Sequence, residues 1–376
     1  MPAALQTYRL CKRCIDRQGE GATAVVVVEG AECFVCGGMM DRVGRMGELA
    51  ASKARRYEFR TFAVGVSLPD GVQEREDELR SDLKLKGNET IKTQAARMVS
   101  TLVAAATRKR VDKQRPDVML LADFGSNDVK VTSRPLFFYA RYTKPAGISQ
   151  HRLLCKSCQG GGCKECGNTG FETGPSVEAL LRRKLSGFSK SEKMTFTWLG
   201  SEDSESRVYP PGRPFVVELK SPKRRQVPRK FGARFGGGLV SVSSGKVLAS
   251  KPLRLPAFRF GTRISAVSRK KVGKEGLADL RSAFRNTTVR FERPHDRPTV
   301  KTVYRASATA RGRTLLIDAE LDGGLPVKRF VSGELVSPSV SEVLKTEVGC
   351  RSFDIYGVRE IGKFGFAEIT RSKEKN

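Results

Sequence analysis

A chain of 376 residues with 39% apolar side chains is long enough for two or three domains with cores of their own, which excludes wholesale disorder. Its 69 Lys and Arg stand against 40 Asp and Glu, and a compact body with a formal charge of +29 repels itself unless a polyanion is a regular partner. Nucleic acid is the default polyanion. A membrane surface is disfavoured, because the longest apolar run, Ala24 to Val28, is far short of a span and no basic amphipathic helix dominates.

The start of the chain has neither a basic n-region nor an apolar h-region, so the expectation is an intracellular, cytoplasmic protein. In a reducing compartment, Cys-x-x-Cys pairs point to metal ligation ahead of disulfides. Eight of the nine cysteines form such pairs: Cys11/Cys14, Cys33/Cys36, Cys155/Cys158 and Cys163/Cys166. Eighteen residues separate the first two pairs, a spacing that suits two knuckles closing one structural Zn²⁺ around a short Val-rich hairpin. Unmetallated redox or buried thiols are the alternative. Four thiolates leave no open position for a water, so the role expected of this site is structural.

From Arg42 to about Arg60 the chain turns polar and basic and reads as a link into a second unit. Phe59 to Leu68 alternates like a strand, and Asn88 is placed to cap a helix from Glu89 to about Ala106. Its stripe of Ile91, Ala95, Met98, Val99, Leu102, Val103 and Ala106 is a core face. Arg108, Lys109 and Arg110 close the helix, where cations suit its C-terminal dipole. Two strand-like segments follow, 117–124 and 135–142, so this stretch reads as a small α/β unit. Its basic helix end suits RNA phosphates, or is a solvated face.

The second cysteine cluster, 155–170, is Gly-rich, which lets four sulfurs reach one ion, although only four residues separate its inner cysteines. A Gly-rich turn with free thiols is the alternative. One repeat of the Cys-x-x-Cys-x-Gly-x-Gly pattern of DnaJ-type chaperones is also present, where a chaperone needs several. Residues 175–185 read as a short helix with Pro175 near its first turn. Gly200 to Phe215 is a Ser, Asp and Glu loop bounded by Gly and Pro, and Asp203 and Arg207 lie four residues apart in it. Lys220 to Gly238 then holds seven cations up to Arg234, with Phe231, Phe235 and flexible glycines. That mixture suits phosphate neutralisation plus stacking on unpaired bases, and equally a disordered loop that orders on binding.

The last third reads as β-rich, with alternation over 299–308 and 313–321, a fresh segment from Gly323 to Leu335, a short helix over 339–344 and a closing strand over 352–358. Cys350 is most simply a buried thiol. His151 and His295, the two histidines, are too few and too far apart for a Ser/His/Asp relay.

The order of the N-terminal cysteine pairs, the segment from Arg134 to Tyr142, the Cys155 to Gly170 cluster, Ser176-Val177-Glu178 and Gly212-Arg213-Pro214-Phe215 resembles the Pus-ten family of tRNA pseudouridine synthases over most of the chain. The family's Gly-Arg-Glu-Asp-x-Asp-x-Arg segment matches Gly200 to Arg207 without a gap, which makes Asp203 similar to the catalytic aspartate and places Arg207 in its motif. Its Gly-Gly-x-Tyr-Val-Lys-Glu segment matches Gly323 to Arg329, which makes Lys328 the basic partner. The resemblance implies an α+β chain: a four-cysteine zinc motif over 1–45, a THUMP-like α/β RNA-binding domain over 46–147, and a pseudouridine-synthase catalytic domain over 148–376 with a central antiparallel sheet. It further implies, as substrate, the adjacent uridines of the tRNA TΨC loop, positions fifty-four and/or fifty-five; the isomerisation needs no organic cofactor, and a monomer is expected. Arg213, Lys223, Arg224, Arg225, Arg229, Lys230, Arg108, Lys109 and Arg110 are the candidate RNA-binding cations.

This chain departs from the family pattern at several positions. Ser201 and Glu205 replace the motif's arginine and second aspartate, and Pro326 replaces the tyrosine of the Gly-Gly segment. A downstream Thr-Pro-x-Arg-Val-x-His-Arg-Arg pattern is reduced to 288–294, and Ile264 stands where a Tyr-x-Ala tyrosine is expected, with Phe258, Phe260 and Tyr304 as candidates to fill its space. An RNA-binding relative with little or no activity is therefore the alternative to a synthase, and a zinc-stabilised chaperone-like module is a third reading.

Overall fold

The computed structural model describes residues 7–19, 25–191, 193–235, 238–292 and 298–365. The chain divides into two compact units, one of Met1–Pro135 with Ser189–Glu192 and Lys220–Arg225, the other of Leu136–Phe188, Lys193–Leu219 and Gln226–Asn376.

In the first unit β1 (Tyr8–Leu10) and β2 (Val25–Val27) pair in parallel, Tyr8 opposite Val25. The expected Val-rich hairpin is thus corrected: α1 (Lys12–Gln18) carries the chain back, so both strands run the same way. Ala24, part of that expectation, lies outside the described residues. The expected link is also corrected, because it contains α2 (Val43–Ala54), whose Val43, Met46, Gly47, Ala50, Ala51 and Ala54 are buried. Small residues make this stripe weakly hydrophobic, so the cations between them dominated the pattern.

The unit continues through β3 (Thr61–Ser67), α3 (Val72–Asp82), α4 (Ile91–Thr107), β4 (Arg110–Val111), β5 (Val118–Asp123) and β6 (Asp128–Ser133). Sheet order is β4-β3-β5-β6, with β6 antiparallel and the rest parallel. Helix α2 lies against α4 so closely that a Cβ on Gly47 would sit 2.4 Å from Leu102. The cap of α4 is Thr90, whose hydroxyl accepts the Thr93 N–H at 3.2 Å, and not Asn88, whose own N–H donates to the Arg17 carbonyl. Of the expected stripe, Ile91, Ala95, Val99 and Val103 are buried, while Leu102 and Ala106 are exposed.

The second unit holds β7 (Leu136–Lys144), α5 (Val177–Ser189), β8 (Lys193–Trp198), β9 (Val208–Lys220), β10 (Phe231–Phe235), β11 (Gly238–Leu248) and β12 (Ala257–Ser268). After these come α6 (Lys274–Ala283), β13 (Arg285–Phe291), β14 (Thr299–Arg311), β15 (Thr314–Asp322), α7 (Val327–Ser332), β16 (Val336–Ser337), α8 (Val340–Val343) and β17 (Val348–Ile361). They build one sheet in the order β10-β11-β7-β9-β17-β12-β15-β14-β13-β16, with β8 paired to β9. Parallel pairing occurs between β17 and β9, at Ile355 and Val208. The basic stretch after Lys220 is partly strand, since β10 pairs antiparallel with β11; its Gly236 and Gly237 lie outside the described residues. A continuous core of alternating inward residues, from Phe138 on β7 to Phe353 on β17, runs beneath the sheet.

Candidate active site

Asp203 sits in the loop joining β8 to β9, and buried charges hold that loop in shape. Glu202, directly before it, has one carboxylate oxygen 2.6 Å from the Arg213 guanidinium and accepts a hydrogen bond from the Tyr142 hydroxyl with the other at 2.5 Å. Arg213 also donates to the carbonyls of Ser201 (2.9 Å) and Leu199 (2.7 Å). Both side chains of this ion pair are almost fully buried, so every polar contact replaces one lost to water. Gly200 has φ +91°, and a Cβ there would stand 2.1 Å from the Arg213 guanidinium, so the tight turn requires glycine.

Lys144, buried at the end of β7, pins the other half of the loop. Its ammonium donates to the carbonyls of Ile148 (2.8 Å), Asp203 (2.9 Å), Ser204 (3.1 Å) and Ser206 (2.5 Å). Burial pushes its pKa below the ordinary lysine value, opposed by the nearby Glu202, Asp203 and Glu205 carboxylates. The loop then leaves along β17: the Arg207 N–H donates to Asp354 at 2.9 Å, and the Ile355 N–H to the Arg207 carbonyl at 2.9 Å.

Lys328 comes to Asp203 from α7, a single helical stretch ended by Gly333 at φ +83°. Its Nζ lies 2.9 Å from Asp203 Oδ2, with the two side chains 56% and 38% exposed, so both are open to an incoming molecule. The hydrogen bond to Asp203 raises the Lys328 pKa, with burial opposing. They line a cavity of about 360 Å³ whose other walls include Arg213, Phe260, Phe291, Pro326, Phe353 and Ile355. A carboxylate, an ammonium and aromatic rings lining one cavity of this size suit a flat, polar-edged ring of about a nucleobase's size. Cys350, half-buried, feels the same charges: burial pushes its thiol up to about 11, with Lys328 opposing and Asp203 adding.

Asp203 and Lys328 are therefore brought together, whereas the Arg207 side chain is exposed beside Tyr209 and takes no part in lining the cavity. Ile264, in the expected tyrosine position, is fully buried and is not a cavity wall. Its cross-strand neighbour Phe353 is one, as is Phe260. Phe258 and Tyr304 are not, and the Tyr304 hydroxyl donates to Asp322 at 2.9 Å with Arg259 over its ring. Among the candidate RNA-binding cations, Arg108, Lys109, Arg110, Lys223, Arg224, Arg229 and Lys230 are exposed. The Arg213 guanidinium is committed to the loop, and that of Arg225 donates to the Arg134 carbonyl at 2.8 Å. His151 packs against Trp198, and His295, Arg293 and Pro294 lie outside the described residues.

Two sets of four cysteine sulfurs, Cys11/Cys14/Cys33/Cys36 and Cys155/Cys158/Cys163/Cys166, each lie within 4.8 Å of one another. A tetrahedral ion with metal–sulfur bonds of about 2.3 Å puts its sulfurs about 3.8 Å apart. The Cys11–Cys36 separation is 3.7 Å, and Cys155–Cys163 and Cys158–Cys166 are both 3.8 Å, so both sets fit a metal of that size. In the second set the N–H groups of Gly162 and Gly170 donate to the sulfurs of Cys158 and Cys166, as suits thiolates. At the first, buried Arg17 reaches the Cys14 sulfur at 3.3 Å, Glu76 at 2.6 Å and Gln94 at 2.8 Å. Its cation offsets the net negative charge that four thiolates around a divalent ion would carry.

Sequence reasoning missed Lys144, Glu202 as an anchor, Phe353 and Arg17. Glu202 adjoins the motif aspartate and was within reach; Lys144 is 59 positions from Asp203, and only the fold joins them.

Residues 46–123 match the family model described as Pus10 THUMP domain, archaeal, and residues 137–241 match the one described as Pus10, C-terminal. The chain is 34% identical over 361 residues to the tRNA pseudouridine synthase Pus10 of Cenarchaeum symbiosum, covering 92% of this chain and 89% of the relative. It is 30% identical over 351 residues to that of Korarchaeum cryptofilum, covering 88% and 93%. Among solved structures, a Cbf5-Nop10-Gar1 complex aligns at 12% identity with a TM-score of 0.32 over 59% of this chain and 48% of that one, too slight a likeness to assign a fold.

Proposed function

The chain belongs to the Pus10 family of tRNA pseudouridine synthases, and we propose that it isomerises uridine to pseudouridine in the TΨC loop of tRNA, at positions fifty-four, fifty-five or both, with Asp203 as the catalytic carboxylate. The single observation that supports this most is the Asp203–Lys328 pair at 2.9 Å on the wall of an aromatic-lined cavity.

In the reaction the N1–C1′ bond breaks, the base turns, a C5–C1′ bond forms, and the C5 proton is lost while N1 gains one. Asp203 acts as nucleophile on the ribose or the base and is released again. Lys328 offsets the cost of stripping water from that carboxylate when the nucleotide fills the cavity. The uridine has to leave its stack to arrive there, and Phe260 and Phe353 offer its ring an apolar face. Phe353, beside Ile264 on the neighbouring strand, then takes the place of the family's tyrosine.

The same reading assigns a four-cysteine motif over 1–45, a THUMP-like RNA-binding module from residue 46, and a catalytic domain in which β7 belongs to the sheet. Zn²⁺ is the metal both cysteine sets suit best, in a structural role. No described helix is long and apolar enough to cross a membrane, and we place the protein in the cytoplasm as a monomer. An unmodified tRNA transcript tests the assignment: Asp203→Asn should retain tRNA affinity and form no pseudouridine, and a variant with wild-type turnover refutes it.

A further inference from the structure

A second cavity, of about 470 Å³, lies at one end of the large sheet of the second unit. Three segments converge there. The end of β12 pairs with β15 at Val267 and Thr314 and with β17 at Val267 and Gly349, so the chain after β12, the β14–β15 turn and the stretch before β17 come together. They carry Arg269, Lys270 and Lys271, then Arg311 and Arg313, then Lys345, all exposed. Glu347, the carboxylate lining this cavity, stands 3.5 Å from Arg269 in a pair open to solvent on both sides, which is weak. Among the described residues the other five cations make no ion pair.

Arg269 and Arg313 line the cavity itself, with Ser268 and Ser332. Ser268 is fully buried, and among the described residues its hydroxyl has no hydrogen-bond partner. Ser332 ends α7, the helix that carries Lys328, and four helical residues span about 6 Å. The cavity is thus a near neighbour of the Asp203 site on the same element. Concentrated positive charge around a hydroxyl, spread over three loops, suits the phosphates of an extended polyanion.

We propose that this cavity binds a backbone phosphate of the RNA strand that delivers its uridine to Asp203, with Arg269 and Arg313 as the contacting cations. The proposal rests on the assignment of RNA as substrate. It is tested by measuring the dissociation constant of an unmodified tRNA transcript against KCl concentration for the wild type, Arg269→Ala/Arg313→Ala and the charge-preserving Arg269→Lys/Arg313→Lys. Losing the one phosphate that the two arginines neutralise lowers the slope of log K against log salt by about 0.7 for single-stranded RNA and weakens binding about fourfold at about 0.15 M salt. The Ala pair should show that change, and the Lys pair should keep the wild-type slope. Superimposable slopes for wild type and the Ala pair overturn the proposal. Pseudouridine formation by the wild type is scored separately: a changed slope without product sinks the enzymatic assignment alone, and product with superimposable slopes sinks this site alone.

Discussion

Replacing Lys144 with Met removes a buried ammonium that holds four carbonyls, three of them in the Asp203 loop. Hydrogen bonds from a charged donor contribute about 1.5–3 kcal/mol each, but burying the ammonium offsets a large part of that, as its lowered pKa records. Methionine fills the space and leaves the carbonyls without partners, so the net loss is on the order of 3–5 kcal/mol. For a unit of this size that corresponds to a fall in Tm of roughly 10 °C. A loop no longer pinned at the carbonyls of 203, 204 and 206 also lets the Asp203 carboxylate drift from Lys328. Because a misplacement of about 1 Å can cost about a hundredfold in rate, kcat should fall by about that factor below the melting point. Thermal unfolding followed by circular dichroism, with single-turnover kinetics on a tRNA transcript, reads both effects. A Lys144→Met protein that melts with the wild type contradicts the energetic argument. One that melts early yet turns over at the wild-type rate contradicts the positioning argument.

Lys328→Met should lower kcat by about 100- to 1,000-fold, since it removes the cation beside the carboxylate. Because the Lys328 pKa is raised in the folded state, its charge is complete below the ordinary lysine value and is lost only as pH rises through the raised one; kcat should show no Lys328-dependent fall between about pH 7 and 9, and a limb there that vanishes in Lys328→Met counts against the pairing. Phe353→Leu should lower kcat/KM by about 5- to 150-fold, the worth of one stacked base, while Phe353→Tyr retains it; equal kinetics for the Leu variant and wild type remove Phe353 from the base pocket. Purified protein should carry two zinc ions per chain by metal analysis, and Arg17→Met should weaken zinc retention against a chelator by about 10- to 100-fold without touching the second set. With Cys350 held up to about 11, its thiolate fraction at pH 7 is about 10⁻⁴, so zinc-loaded protein should contain no thiol that alkylates fast at neutral pH.

Part of the candidate site could be read from the chain because its chemistry is local in sequence: Asp203 and the glycine of its turn fall within four residues, and each cysteine pair declares itself by spacing, whereas Arg207 of the same motif does not line the cavity. The long helix at 91–107 and the hairpin of β14 and β15 were equally plain from periodicity. Helix α2 was not, because glycine and alanine make its buried stripe and surface cations outnumber the apolar residues. Lys144 and Phe353 were hidden for a different reason, since a buried lysine in a strand and a phenylalanine in a β-rich segment look like any others until the sheet places them beside the loop. Charge alone cannot separate the exposed Lys223 from Arg213, whose guanidinium is consumed by Glu202.

Forming the C5–C1′ bond expels the hydrogen at C5, so a tRNA transcript made with uridine tritiated at C5 reports the reaction directly. The wild type should release tritium to water in proportion to enzyme turnover, and Asp203→Asn should release none while still binding the transcript. Wild-type protein that binds tRNA, carries its zinc and releases no tritium from any transcript contradicts the assignment of Asp203 to a working pseudouridine synthase.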